Sequence, residues 1–142
     1  MKKTVKASKK GFTLVELIVV LVILAVLAAM LVPALVGYVN KAKAEKEYQT
    51  AATVYGAAQA TVTEMYARDK ATAGGGTITQ GTTSNYGKQV LSLAGVNSKA
   101  VTAFTFNYNS KFIITGGSVT ISGHTYTLNI DTTTGAPSWT AA

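Results

Sequence analysis

The stretch KKGFTLVE at residues 9–16, followed by LIVVLVILAVLAAMLVPALVGYV at residues 17–39, decides how this chain is organised. The second segment holds 23 consecutive residues without a charge. Uncharged apolar runs of about 18 residues or more are typical of membrane-spanning helices, and not of helices in a soluble core. We therefore expect residues 17–39 to lie in lipid or inside an assembly of several chains.

The lysines before the apolar run predict its orientation and account for much of the charge. Lysine occupies five of the first ten positions, with no acidic residue among them. Because positively charged flanks stay in the cytoplasm, we expect a cytoplasmic N-terminus and an outward-facing C-terminal part. Without those lysines, the net charge falls from +7 to +2, with 8 basic and 6 acidic residues. The overall charge therefore gives no support for binding to nucleic acid.

Glu16 is the unusual residue of this region. A charged side chain near the middle of a membrane is unfavourable by about 2.5–3.5 kcal/mol, so it needs a cationic partner, and the residues that follow offer none nearby. Cleavage after Gly11 would create an ammonium group at Phe12, at the same depth as Glu16 and of opposite charge. We expect the stronger pair to join Phe12 of one subunit to Glu16 of another, because opposite charges attract strongly at low dielectric constant.

The run from Lys9 to Glu45 resembles the amino-terminal signature of type IV prepilins and pseudopilins. The resemblance implies that a prepilin peptidase cleaves after Gly11 and that Phe12 becomes N-methylated. It also implies a role for Glu16 in assembly and a helix break at Pro33. Two other interpretations are a secretory signal peptide and a plain membrane anchor. The first does not explain why the apolar run is so long, and the second leaves Glu16 unexplained.

The resemblance implies a structural subunit of a type IV pilus-like filament that serves adhesion, motility or DNA uptake. Its partners would be copies of itself, a prepilin peptidase and N-methyltransferase, an assembly platform and the membrane, with no small-molecule substrate. The precursor would cross the cytoplasmic membrane once, and the filament would be extracellular. The alternative is a pseudopilin of a type II secretion or competence DNA-uptake machine. A third possibility is a membrane-tethered binding module that does not polymerise. Many Gram-negative pilins have a disulfide, so the absence of cysteine favours a pilin of the Gram-positive kind.

We expect an α+β fold of the type IV pilin kind, in which a long N-terminal helix packs on a small antiparallel β-meander. Residues 1–11 would be a cleaved basic leader, and residues 12–39 a transmembrane or filament-core helix. Residues 40–70 would be the amphipathic half of the same helix, which runs from about Phe12 to about Asp69. Residues 71–142 would form a globular head with a loop, a short helix and an antiparallel sheet.

Periodicity predicts the elements of the C-terminal part. Apolar side chains recur three or four residues apart on one helix face, which should pack on the sheet: Tyr48, Ala51, Ala52, Tyr55, Ala58, Val62, Met65 and Tyr66. The opposite side carries Lys46, Thr50, Thr61, Glu64 and Arg68, which we expect in solvent or against a neighbouring subunit.

Beyond the long helix, we expect residues 77–85 to form an exposed loop. A short helix should run from about Tyr86 to Leu93, with Asn85 as its N-cap and Gly95 just past its end. From residue 100 onward, apolar residues alternate with polar ones, as in strands. The predicted turns are Asn109-Ser110, Gly116-Gly117, Ser122-Gly123 and residues 131–135, and residues 137–140 would form an edge strand that carries Trp139.

The residues of the head do not suggest catalysis. His124 is the only histidine and the chain has no cysteine, so a Cys/His metal site is excluded and a hydrolytic triad is disfavoured. We expect His124 to be a strand residue beside a tight turn. Asp131 is the only carboxylate of the head, which is too few for calcium and is typical of an Asx turn. We therefore predict no enzyme activity, no catalytic residue, no metal and no cofactor.

Overall fold

The computed structural model describes residues 11–69, 74–81 and 85–142. The chain divides into two compact units, Met1–Ala42 and Lys43–Ala142. In chain order, the elements are α1 (Leu14–Asp69), β1 (Gly76–Thr79), α2 (Tyr86–Ala94), β2 (Val101–Tyr108), β3 (Ile114–Ile121), β4 (His124–Ile130) and β5 (Pro137–Ala141). A long N-terminal helix and an antiparallel sheet make an α+β fold, which confirms the predicted class.

The N-terminal unit is helical from Leu14 onward, two residues after the predicted start. Every side chain described in this unit is exposed to solvent in the isolated chain. The helix contains Pro33 and continues on both sides of it. Because proline lacks an N–H group, the carbonyl of Ala29 receives no hydrogen bond from position 33. The predicted leader lies almost entirely outside the described residues.

The C-terminal unit is built on one sheet of five strands in the order β1-β2-β3-β4-β5. Each neighbouring pair is antiparallel, which confirms the predicted meander. Ser122 and Gly123 join β3 to β4, with φ angles of 51° and 89°. Two consecutive positive φ angles are those of a type I′ hairpin turn. Trp139 lies on the edge strand β5, as predicted.

Two stretches that the sequence predicted as loop or turn are strands. Residues 76–79 form β1, which pairs with β2, and Ile78 is only 3% exposed. This strand depends on a partner about 30 residues away, so local pattern could not reveal it. Gly116 and Gly117 lie inside β3 and not in a turn. A Cβ at Gly117 would overlap the carbonyl oxygen of Thr105 on the neighbouring strand. Glycine is therefore required there by close packing, and a turn would have selected the same residue.

The part of α1 in the C-terminal unit packs on the sheet through small side chains. The predicted face was partly wrong, since Ala52 and Tyr66 are exposed and Thr61 is fully buried. The Thr61 hydroxyl donates to the carbonyl of Ala57 at 2.9 Å, so its polar group is satisfied within the helix. The buried hydrophobic residues of the core are Ala51, Val54, Ala57, Ala58, Val62, Ile78, Val90, Val101, Phe104, Phe106, Ile114, Val119, Ile121, Tyr126 and Leu128.

The short helix α2 ends as predicted. Gly95 has a left-handed φ of 63°, and its N–H donates to the carbonyl of Ser92 at 3.2 Å. Asn85 lies at the N-cap position, but its side chain makes no capping hydrogen bond. Val90 is fully buried and joins α2 to the core. Gly87 is buried as well, so the helix owes its position to packing and to its glycine end, and not to an N-terminal cap.

Candidate processing and assembly site

The helix α1 begins at a reciprocal pair of hydrogen bonds between Thr13 and Glu16. The backbone N–H of Thr13 donates to Oε2 of Glu16 at 2.8 Å. In return, the backbone N–H of Glu16 donates to Oγ1 of Thr13 at 3.3 Å. The N–H of Leu17 donates to the Thr13 carbonyl at 3.2 Å, which is the first bond of the helix. This arrangement is a capping box, with Thr13 as the N-cap and Glu16 as the third helical residue.

Glu16 therefore has a local partner that the sequence interpretation overlooked. We expected this carboxylate to need a cation, whereas in the single chain it accepts a hydrogen bond from a backbone amide three residues earlier. The pattern Thr-x-x-Glu before an apolar run is itself the sequence signature of a capping box. A carboxylate has about four lone-pair positions on two oxygens, so the capping bond leaves capacity for an ammonium group.

Gly11 and Phe12 lie immediately before the helix in irregular backbone. The Phe12 side chain is 86% exposed. A Cβ at Gly11 would meet no atom within 4 Å, so packing in the described residues does not require a glycine there. The bond between Gly11 and Phe12 is thus accessible in the isolated chain. A cut at this bond would leave both residues of the capping box, Thr13 and Glu16, on the mature chain.

In the isolated chain, no other part of the described protein covers the apolar run. Large side chains from Leu14 to Val39 are 42–76% exposed. The helix is long and apolar enough to cross a membrane, and none of its most apolar window is buried within the protein. A helix satisfies its own backbone hydrogen bonds, which makes it one of the two structures that can lie in lipid. So large an apolar surface requires lipid or further protein chains to cover it.

A second cluster of polar side chains lies in the C-terminal unit and was not predicted from the sequence. The Glu47 carboxylate accepts a hydrogen bond of 2.5 Å from the hydroxyl of Tyr126. The same oxygen lies 3.1 Å from Nδ1 of His124. Burial and then this bond to Glu47 raise the pKa of Tyr126 to about 12. Because 77 and 79 residues separate Glu47 from its partners, no local pattern could have found the cluster.

His124 and Asp131, two polar residues noted in the sequence, both lie at turns of the sheet. His124 is the first residue of β4, next to the Ser122-Gly123 turn, as predicted. Oδ1 of Asp131 accepts the backbone N–H groups of Thr133 at 2.7 Å and Thr134 at 2.9 Å, which confirms the Asx turn. Hydrogen bonds from Thr134 and then Thr133 hold the pKa of Asp131 below its usual value. These groups stabilise a turn and do not point to chemistry.

Comparison with known families gives one match, at the N-terminus. Residues 6–32 match the model of the prokaryotic N-terminal methylation motif. The matched range includes the exposed Gly11-Phe12 bond, the Thr13–Glu16 capping box and much of the apolar run. Searches of curated proteins and of solved structures find no match for the chain. From its sequence, its helix and this match together, the chain carries a type IV prepilin-like signal, the prokaryotic N-terminal methylation motif.

Proposed function

We propose that this chain is the structural subunit of a type IV pilus-like filament, made as a membrane-held precursor. The observation that supports the proposal most is the combination of the methylation motif with an apolar helix whose large side chains are all exposed in the single chain. In the precursor, lipid covers that helix. In the filament, the same helix of other copies covers it. A head-to-tail contact of this kind does not close, so identical subunits add without limit.

The proposed processing step separates residues 1–11 from the rest and exposes the amino group of Phe12, which is then N-methylated. The new ammonium of one subunit pairs with Glu16 of the next. At about 4 Å and an effective dielectric constant of about 20, such a pair gains on the order of 4 kcal/mol before desolvation is counted. The pair also selects one axial offset between subunits, because only one offset brings the two charges together.

Each segment predicted from the sequence has its own proposed role. Residues 12–39 form the membrane anchor and later the filament core, with Pro33 allowing a local break of the helix. Residues 40–70 continue the helix, and residues 71–142 form a head that faces outward. No part of this role calls for a catalytic residue or a cofactor. The partners are the prepilin peptidase and N-methyltransferase, the assembly platform, the membrane and further copies of the chain.

The test separates the charge of Glu16 from its capping role. Glu16→Gln removes the negative charge but keeps a residue that completes a capping box equally well. We expect this variant to insert and to be processed normally, with the yield of sheared filaments at least tenfold lower. The matched control is Glu45→Gln, which removes an equal charge from an exposed side chain of the same helix. A wild-type yield from Glu16→Gln would remove Glu16 from the mechanism.

Two further measurements decide between the proposal and its alternatives. Mass spectrometry of the mature chain should find an N-methylated phenylalanine as its first residue, and an intact Met1 would contradict the proposed processing. Electron microscopy should show long filaments at the cell surface. Processed protein with only short fibres, confined to the cell envelope, would favour the pseudopilin role.

A further inference from the structure

A cleft lies in the C-terminal unit between α1 and the hairpin that joins β3 to β4. Its volume is about 420 Å³, which is within the range of small-ligand sites. Lys43, Lys46 and Thr50 line the side formed by α1. Ile121, Ser122 and His124 line the side formed by the sheet. The cleft therefore combines two ammonium groups, two hydroxyl groups and an imidazole with an apolar wall.

The one acidic residue of the cleft is already engaged inside the protein. The Glu47 side chain is only 15% exposed, and it accepts hydrogen bonds from Tyr126 and His124. In the described part of the chain, neither Lys43 nor Lys46 takes part in an ion pair. The lysine charges are thus available to a ligand. Their sign, together with the hydroxyl of Ser122, selects an anion with several oxygen acceptors, such as a phosphate group.

The apolar wall indicates that the ligand also has a hydrocarbon part. The surface that lines the cleft is mostly apolar, and Ala100 and the edge of Ile121 are part of it. An inorganic anion would leave this surface in contact with water. A phosphodiester attached to glycerol and acyl chains would cover it, because apolar area removed from water favours binding. The lining therefore fits a phospholipid headgroup better than a free anion.

The place of the two lysines in the chain identifies the source of such a ligand. Val39 is the last residue of the apolar run, and Lys43 and Lys46 follow it by four and seven positions. The headgroup layer of a bilayer begins where its hydrocarbon core ends and is about 5–8 Å thick. Lysine side chains that follow a membrane-spanning run so closely reach this layer, where the phosphate groups of the lipids lie.

We propose that this cleft binds the phosphate group of an anionic phospholipid while the chain is in the membrane. The inference rests on the membrane-held precursor of the proposed function, but not on filament assembly. Lys43 and Lys46 contact the phosphate, Ser122 donates a hydrogen bond to it, and the apolar part of the lining, with Ala100, contacts the glycerol backbone. Extraction of the subunit from the membrane then requires this lipid to dissociate.

The test uses the full chain in micelles of a neutral detergent, with His124 as the probe. His124 is the only histidine, so its ring resonances in NMR report on the cleft without assignment ambiguity. Titration with dioctanoyl phosphatidylglycerol should shift these resonances and reach saturation. Lys43→Gln combined with Lys46→Gln should raise the Kd at least tenfold. Lys88→Gln combined with Lys111→Gln makes the same charge change at exposed residues outside the cleft and far along the chain from the apolar run, and should leave the Kd unchanged.

Two comparison ligands show whether the cleft recognises the charge of the lipid, its acyl chains or both. Dioctanoyl phosphatidylcholine has the same acyl chains without net charge and should shift the resonances at least tenfold less at equal concentration. Glycerol 3-phosphate should likewise bind at least tenfold more weakly than the lipid. Equal binding of phosphatidylcholine would overturn the anion preference, and equal binding of glycerol phosphate would make the cleft a site for free phosphate.

Two further results would also overturn the inference: the absence of any saturable shift, or an unchanged Kd in the Lys43 and Lys46 variant. A measurement on the wild-type chain keeps the test independent of the variants, since raising NaCl from about 50 to about 500 mM should weaken a charge-dependent contact several-fold. None of these readouts depends on the first residue of the mature chain or on filament yield. A failed lipid titration would therefore leave the proposed function intact, and failed processing or assembly would not explain a failed titration.

Discussion

Glu16 combines a charge that an apolar environment disfavours with a position where carboxylates are favoured. The third residue of a helix lies beside unpaired N–H groups and the positive end of the helix dipole, and Glu16 uses this position to bond the Thr13 amide at 2.8 Å. The residue therefore has a stable state in the single chain before any neighbour arrives. In the proposed filament, an ammonium group from another subunit adds to that state and does not have to replace it.

The first prediction concerns Thr13. Thr13→Ala removes the hydroxyl that accepts the Glu16 N–H, but it keeps the backbone N–H that donates to the carboxylate. Loss of an N-cap side chain costs about 1 kcal/mol, so amide hydrogen exchange at Glu16 should be roughly fivefold faster. NMR-detected exchange of the full chain in micelles measures this. Thr13→Ser keeps the hydroxyl and should exchange at the wild-type rate; equal exchange in all three chains would contradict the capping box.

The second prediction concerns the bond between Tyr126 and Glu47. Tyr126→Phe removes a hydrogen bond to a charged group and should lower the free energy of unfolding at pH 8 by about 2 kcal/mol. The fold raises the pKa of Tyr126 from 10.0 to about 12. Its contribution is therefore complete below pH 10 and is lost as the pH rises towards 12. The stability difference between wild type and variant should narrow over that range.

Chemical unfolding monitored by the fluorescence of Trp139, the only tryptophan, provides the measurement. Tyr66→Phe is the control, because the Tyr66 side chain is 58% exposed. It should change neither the stability at pH 8 nor its dependence on pH. A difference between wild type and Tyr126→Phe that stays constant up to pH 12 would show that the bond to Glu47 contributes nothing.

At the scale of elements, the sheet depends on contacts that local sequence does not reveal. Strand β1 has four residues and a single buried side chain, Ile78. Its register with β2 places Ile78 opposite Phe106, which is fully buried in the core. The loop between β2 and β3 is bound to α1 by the Gln59 side chain. This side chain donates to the Phe112 carbonyl at 2.9 Å and accepts from the Ile114 N–H at 2.8 Å. The helix therefore contacts the sheet side of the unit through these two hydrogen bonds as well as through the hydrophobic core.

The third prediction compares the two adjacent glycines of β3. A Cβ at Gly117 would overlap the Thr105 carbonyl and the Phe106 side chain, whereas a Cβ at Gly116 would come no closer than 3.5 Å to any atom. Gly117→Ala should therefore lower the free energy of unfolding by about 1–3 kcal/mol through overpacking. Gly116→Ala should stay within about 0.5 kcal/mol of wild type. The midpoint of urea unfolding measures both; equal effects would contradict the close packing at Gly117.

At the scale of the whole molecule, the two units differ in how far they bury their apolar side chains. The C-terminal unit buries its apolar side chains in one core, whose members extend from Ala51 to Leu128. In the described part of the N-terminal unit, by contrast, every side chain is exposed in the isolated chain. One unit is therefore complete by itself, and the other requires lipid or further copies of the chain.

The fourth prediction follows from that division. A chain that begins at Asn40 lacks the apolar run but keeps every core residue, and asparagine is a favourable N-cap for the shortened helix. We expect it to be soluble without detergent and to unfold with a free energy within about 1 kcal/mol of the C-terminal unit in the full chain. Size-exclusion chromatography and Trp139 fluorescence check this. An unfolded or aggregated product would mean that residues before Asn40 contribute to the core.

The sequence by itself determined the features that depend on local order along the chain. Composition and periodicity were enough to predict the long helix, because the uncharged run lies within one continuous segment. The processing motif at Gly11 and Phe12 was identified by its resemblance to type IV prepilins, which also rests on a continuous stretch of sequence. The strand alternation after residue 100 predicted the meander for the same reason, since side chains of one strand point alternately to its two faces.

Only the tertiary structure decided which groups meet across long separations in the chain. Val54 and Thr61 are buried because they face the sheet, and the cluster at Glu47 forms because β4 brings His124 and Tyr126 to the helix. Close strand packing, and not turn formation, accounts for the glycine at position 117. These outcomes depend on how the helix and the strands pack against each other, and the local sequence pattern does not contain that information.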